Sequence, residues 1–237
     1  MIKAVIFDFD HTLYDRDATF AACTADFMRI AADYLRPELT AEALTAAICR
    51  SDREGVYNGA WKRSAALLAE YGIYRDEPLP YEIYAEQFAR GAFPKSIRLF
   101  ADTVPTLEAL RAAGYRLGML TNGYNRYQND KLRTNPHILP YFEEIMIGED
   151  LGHQKPHPTA FLTILKKMGV SPAEAAFVGD NPSSDICGAR GVGMLPIWMR
   201  YVKEWPSAAT PPAYAIDTLS ELPPLLQKYN EAQGDQA

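Results

Sequence analysis

Two kinds of hydrophobic pattern divide the chain. Ile2-Lys3-Ala4-Val5-Ile6-Phe7 is a nearly unbroken apolar run that stops at Asp8, and comparable runs recur at 115–120, 144–147, 175–178 and 194–198. Short runs without two-residue alternation are the signature of strands buried on both faces of a parallel sheet. Helical periods separate the later runs: one opens at Thr103 and ends near Gly114, a second covers 127–133, and a third begins at Pro158. That third stripe, Phe161, Leu162, Leu165 and Met168, closes at Gly169, with proline at the first helical position and glycine at the stop. A fourth helix falls near 185–191, weaker signals surround Tyr214 and 219–229, and the polar tail 231–237 reads as disordered. Alternating strands and helices imply an α/β fold on a parallel sheet with right-handed crossovers.

The segment between the first run and the others is different in kind. From about Asp15 to Phe93 it is alanine-rich and helical in period, with no strand-like run. Phe20, Phe27, Met28, Ala31 and Leu35 mark one amphipathic helix that stops before Pro37. Thr40 is placed to cap a second helix through Ile48; 56–71 forms a third with Trp61, Ala65, Leu68 and Tyr71, and 79–93 a fourth. These aromatic stripes read as a helix–helix core. An insert that leaves and re-enters near the carboxyl end of a strand reads as a cap over that edge. The expected division is therefore a core of 1–14 and 96–237 and a helical cap of 15–95.

Composition narrows the partners. Lys plus Arg number 24 against 30 for Asp plus Glu, a formal charge of −6 over 237 residues. Without a basic surplus to displace counterions, a nucleic-acid polymer is an unsuitable ligand, while a local pocket for a small anion stays compatible. The first apolar run meets Asp8 too early for a signal peptide, and no stretch approaches the ~18 apolar residues of a membrane span. Cys23, Cys49 and Cys187 are odd in number and far apart, as in reduced thiols of a cytoplasmic protein.

The candidate chemistry sits where strands end. Asp8-Phe9-Asp10-His11-Thr12-Leu13 follows the first run, Leu120-Thr121-Asn122-Gly123 the second, Lys155-Pro156 comes after the third, and Gly179-Asp180 with Asp185 follows the fourth. Ligands of open α/β sheets bind at carboxyl strand ends, so residues far apart in sequence can meet there. Carboxylates gathered together repel unless a cation holds them, and a hard divalent cation bound by oxygens suits phosphate chemistry. Two acids two residues apart on an extended segment share a face, so one can attack while the other handles protons. Lys155 and the Thr121 hydroxyl are suited to phosphate oxygens. Each element alone has a plainer reading: Asn122-Gly123 as a turn, Lys155 as a surface lysine, Asp185 as a helix N-cap. Their joint order after successive strands favours a site.

These four elements resemble, in order, the four motifs of the haloacid dehalogenase-like (HAD) hydrolases, and the insert resembles that family's small α-helical cap. The stretch 121–197, with Gln128, Lys131-Leu132, Tyr141-Phe142 and Gly188-Ala189, looks most like its nucleotidase and sugar-phosphate phosphatase branches. The resemblance implies a Rossmann-like core and a Mg²⁺-dependent phosphatase working through an aspartyl-phosphate on a small phosphorylated metabolite, a nucleoside monophosphate or sugar phosphate. It implies that Asp8 is nucleophile and Mg²⁺ ligand. Asp10 becomes general acid and then base, with its carbonyl on the metal. Thr121, Asn122 and Lys155 hold the phosphate, Asp180 completes the metal site, and Asp185 acts behind it. Dehalogenases of the family typically replace the residues matching Asp10 and Asp180, so their presence favours phosphate. A 2-haloacid dehalogenase or phosphomutase of the same fold, or a non-catalytic binding module, is the alternative.

Overall fold

The computed structural model describes residues 1–55, 60–201, 204–206 and 210–234. The chain divides into two compact units: Met1–Asp15 with Leu99–Asn125 and Pro136–Ala237, and Arg16–Arg98 with Arg126–Asn135. The first unit carries six parallel strands: β1 (Ala4–Phe7), β2 (Arg116–Thr121), β3 (Glu144–Ile147), β4 (Ala175–Gly179), β5 (Leu195–Met199) and β6 (Tyr214–Ile216). Their order is β3-β2-β1-β4-β5-β6. The chain therefore winds outward from β1 in both directions, which leaves a crevice at the carboxyl ends of β1 and its neighbours. This is the Rossmann-like α/β architecture expected from the sequence.

Burial explains why the strands read as unbroken runs. All four residues of β1 and all five of β4 are buried. On one face Ala4, Ile6, Leu120 and Phe177 pack with Phe161, Ile164, Leu165 and Met168 of the helix Pro158–Met168. Over 231–234 the expected disorder is overturned: a helix spans Leu222–Gly234. Two contacts overcome its polar composition. Gln227 donates to Glu231 one turn later at 2.9 Å, and the Asn230 carboxamide accepts from Ile2 N–H at 2.6 Å while donating to Ile2 C=O at 3.1 Å. Residues 235–237 lie outside the described residues.

The second unit is helical: Arg16–Ile30, Ala41–Gly55, Ala60–Glu70, and 81–95. Thr40 caps the second helix by accepting from Ala43 N–H at 3.2 Å. That helix runs seven residues beyond the expected end at Ile48, because its polar last turns are held: Ser51 Oγ donates to Ile48 C=O and Asp52 is buried in an ion pair. Residues 56–59, expected to open the third helix, lie outside the described residues. The 81–95 helix is wound wide through its middle, with Phe93 N–H reaching Phe88 C=O five residues back. Rings of Phe20, Phe27, Trp61, Tyr84, Phe88 and Phe93 fill the interior; the Phe20–Phe93 and Phe27–Phe88 centroids are each 4.8 Å apart.

The division differs from expectation: the helical unit runs from Arg16 to Arg98 rather than over 15–95, and it gains a further segment. Residues 126–135, assigned to the core by position in the chain, group with the helices. Tyr127 lies 5.9 Å from Trp61, Tyr81 and Tyr127 share a hydroxyl hydrogen bond of 3.1 Å, and Arg90 Nε meets Asp130 at 2.7 Å. The buried face of the helix Asn125–Thr134 carries Tyr127, Gln128, Lys131 and Leu132, and its periodicity identifies a face without identifying what covers it. Among the described residues no helix is long and apolar enough to cross a membrane.

The helical unit also buries a bidentate pair, Arg16 Nε to Asp52 Oδ2 at 2.7 Å and Nη2 to Oδ1 at 2.6 Å, with the guanidinium about 5 Å from the Phe20, Trp61 and Phe93 rings. Removing one partner of such a pair strands the other charge in the core. Asp52→Ala is expected to destabilise this unit by about 3–5 kcal/mol, read as faster amide hydrogen exchange across Arg16–Arg98 and a lower urea midpoint.

Candidate active site

The register of the sheet brings the acids together. Phe7 of β1 stands opposite Met119 of β2 on one side and Val178 of β4 on the other. Asp8 continues that ladder, donating its N–H to Val178 C=O at 2.9 Å, and Asp180 leaves the neighbouring strand just past Gly179. Asp185 returns to the same point. Oxygens of Asp8, Asp180 and Asp185 all lie within 4.8 Å of one another, and the three residues are 6%, 3% and 1% exposed. The closeness of Asp185 explains Gly179: a Cβ there would stand 2.4 Å from Asp185 Oδ2.

Lys155 joins this group. Its Nζ is 2.6 Å from Asp8 Oδ1 and 2.9 Å from Asp185 Oδ1, and the residue is 4% exposed. The bland reading of Lys155 as a surface lysine is overturned. Its peptide bond to Pro156 is cis. Burial works against the charge on Lys155, but Asp185 and Asp8 outweigh it and raise its pKa. For Asp8 burial dominates: desolvation pushes its carboxyl up to about 7 against the pull of Lys155, and Asp185, Asp180 and Asp10 push the same way.

Other expected residues take distinct positions. Thr121 is the buried last residue of β2. Asn122 turns its side chain to the Lys155 main chain, accepting from Lys155 N–H at 2.8 Å and donating to Lys155 C=O at 2.9 Å. Asp10 is not one of the three clustered acids; its carboxylate accepts from the Tyr14 hydroxyl. The reading of Asp185 as a helix N-cap is corrected. Asn181 is the cap, accepting from the N–H groups of Ser183 and Ser184 at 3.1 and 3.2 Å. Asp185 Oδ2 accepts from Asn181 N–H at 3.0 Å, and its Oδ1 from Ser184 Oγ at 3.1 Å.

Several supporting residues were not singled out from sequence. Trp198 Nε1 donates to Asp180 C=O at 3.0 Å, fixing the backbone that carries an acid. Asn181 before Pro182 was a legible cap signal, whereas nothing local points from Trp198 to Asp180. Tyr14 is fully buried and bridges to Leu99 within the sheet unit. His11 adopts φ 61°, rare for a residue with a side chain, with its ring 5.8 Å from Tyr201. His157, beside Lys155, caps the helix Pro158–Met168 and stacks on His153 at 4.0 Å.

Chemically, the cluster is an all-oxygen, anionic donor set beside one ammonium. Such a set fits a hard divalent cation, whose coordination shell is built from oxygens. Both oxygens of Asp185 accept hydrogen bonds from the chain, and those of Asp8 meet Lys155 Nζ at 2.6 Å and the Thr12 hydroxyl at 3.4 Å.

Comparison with known proteins agrees with this arrangement. A family model for haloacid dehalogenase-like hydrolases matches residues 2–193, a span holding all of the acids above. The chain is 32% identical over 217 residues to the glyceraldehyde 3-phosphate phosphatase of Methanopyrus kandleri, covering 84% of each. Among solved structures, a HAD phosphatase from Thermococcus onnurineus superposes with a TM-score of 0.64 at 27% identity, covering 95% of this chain and 98% of the other. A 2-haloacid dehalogenase from Pseudomonas syringae gives 0.62 at 32% identity, covering 97% and 100%. By the extent of the family match and its six-stranded parallel sheet, the chain belongs to the haloacid dehalogenase-like hydrolase family.

Proposed function

We propose that the protein is a Mg²⁺-dependent phosphomonoester hydrolase acting on a small sugar phosphate or nucleotide. The single observation that carries this reading is the buried contact of Lys155 with Asp8 beside Asp180 and Asp185. The name of its Methanopyrus relative supports the sugar-phosphate arm. In this reading Asp8 attacks phosphorus in line with the ester oxygen, the P–O bond breaks, and Asp10 gives its proton to the departing alkoxide. Asp10 then takes a proton from water, which attacks the aspartyl-phosphate and releases inorganic phosphate with Asp8 restored. Thr121 and Lys155 hold the equatorial oxygens. Asp8, Asp180 and the Asp10 carbonyl would hold Mg²⁺, which would neutralise phosphoryl charge when bound. Asp185 keeps Lys155 and the 180–185 turn in place.

The helical unit serves as the cap in this reading and sets specificity. Asp10 and Asp180 support phosphate over halide chemistry, because attack on carbon requires neither a proton donor nor a cation. The free thiols of Cys23, Cys49 and Cys187 support a reducing, cytoplasmic setting.

Asp8→Asn is expected to abolish Mg²⁺-dependent phosphate release from p-nitrophenyl phosphate and from a panel of metabolite phosphates; turnover surviving that change would sink the mechanism. Asp10→Asn should lower kcat by about 10²–10⁴-fold, with loss greatest for substrates whose leaving alkoxide is poor. Chloride release from 2-chloropropionate in the presence of a chelator would instead support a dehalogenase.

The Asp8 pKa gives a pH expectation. The folded value, about 7, is above the unfolded 3.8, so between them the folded chain holds a proton that the unfolded chain has lost. Metal-free stability therefore falls as pH rises through that window. Mg²⁺ binds the ionised form, so its affinity should weaken as pH drops below about 7. Thermal melts should accordingly show a larger Mg²⁺-induced rise in Tm above that pH than below it, and metal-free Asp8→Asn should melt above wild type at alkaline pH.

A further inference from the structure

The Asn122 carboxamide, expected on the substrate's phosphate, is used inside the protein. We propose that Asn122 is a positioning residue that holds the Lys155 main chain against the end of β2 and so places the Lys155 ammonium for phosphoryl transfer; this rests on the phosphatase reading. The β2–β3 ladder makes its last rung where Gly148 N–H donates to Thr121 C=O at 2.9 Å. Beyond it the strand pairing ends; Asn125 N–H still reaches Glu149 at 2.7 Å, but the path on to Lys155 lies outside the ladder. Asn122 bridges the gap. A carboxamide offers one acceptor and one donor, as a peptide group does, and in one orientation only it satisfies both Lys155 N–H and Lys155 C=O.

The consequence lies in how a lysine is aimed. Its four-carbon stem carries several rotatable bonds, so a fixed ammonium needs restraint at both ends. Asp8 and Asp185 hold the Nζ end at 2.6 and 2.9 Å, and Asn122 holds the Cα end at 2.8 and 2.9 Å. Asn122 also adjoins Thr121, so the hydroxyl and the ammonium proposed to grip the phosphoryl group are tied to two successive residues. Preorganising both costs less at the transition state than ordering them on demand. The fold contains a built-in comparison: Asn230 brackets Ile2 N–H and C=O in the same manner within the sheet unit, where no phosphate group is proposed.

The test is a double-mutant cycle on the full chain with Mg²⁺, comparing N122A, K155A and the double variant, with N230A as control. Readouts are kcat/KM for p-nitrophenyl phosphate, orthophosphate affinity by calorimetry, and the urea midpoint. N122A is expected to lower kcat/KM roughly 10- to 100-fold and to weaken orthophosphate binding. In the K155A background the same change should shift both quantities by less than about twofold. N230A should lower the urea midpoint while leaving both near wild type. A full N122A effect persisting without Lys155, or no effect in folded N122A, overturns the proposal. Should N122A fail to fold, N122S, whose hydroxyl cannot span both main-chain groups, enters the same cycle. If wild type hydrolyses no phosphoester, the phosphatase reading fails and the orthophosphate cycle alone judges the clamp.

Discussion

A single ammonium makes the centre of this protein possible. Three acids meet where β1 and β4 end, almost shut off from water, and at that distance their charges repel strongly in a medium that screens poorly. Lys155 stands against two of them and offsets part of the repulsion, yet Asp8 still holds its proton far more tightly than a free carboxyl. The arrangement is strained toward a further positive charge. A fold optimised only for stability would place apolar side chains there, so the cluster is retained at a cost that binding can offset.

The surroundings follow from that demand. Gly179 has no Cβ because Asp185 occupies its place, Asn181 turns the chain so that Asp185 comes back, and Trp198 holds the Asp180 carbonyl. Each of these acts on the backbone or carboxylate of an acid, and none is itself acidic. The precision of the site thus comes from neutral residues that spend ordinary hydrogen bonds on geometry.

The helical unit answers a different problem. Its interior is a stack of aromatic rings, and a deeply buried ion pair there, Arg16 with Asp52, is closed on itself in bidentate form. The chain passes between the units at 15/16, 98/99, 125/126 and 135/136. The third passage comes directly after the loop bearing Thr121 and Asn122, so the residues proposed to hold phosphate are covalent neighbours of a segment that packs with the helices.

Most of the sheet was legible in the chain itself. Buried parallel strands must be apolar at every position, and Ala4–Phe7 and Ala175–Gly179 are. Strand ends carrying acids and a lysine in fixed order marked out Asp8, Lys155, Asp180 and Asp185, which the fold brings together. Local signals failed where a distant partner decided the outcome. The tail became helix because Asn230 found Ile2, the second helix outran its polar turn because Asp52 found Arg16, and residues 126–135 joined the helices through Trp61, Tyr81 and Arg90. Asn122 shows the limit most clearly: its identity and its place after β2 are local facts, but the main chain it holds lies 33 residues away, and only folding brings that chain within reach.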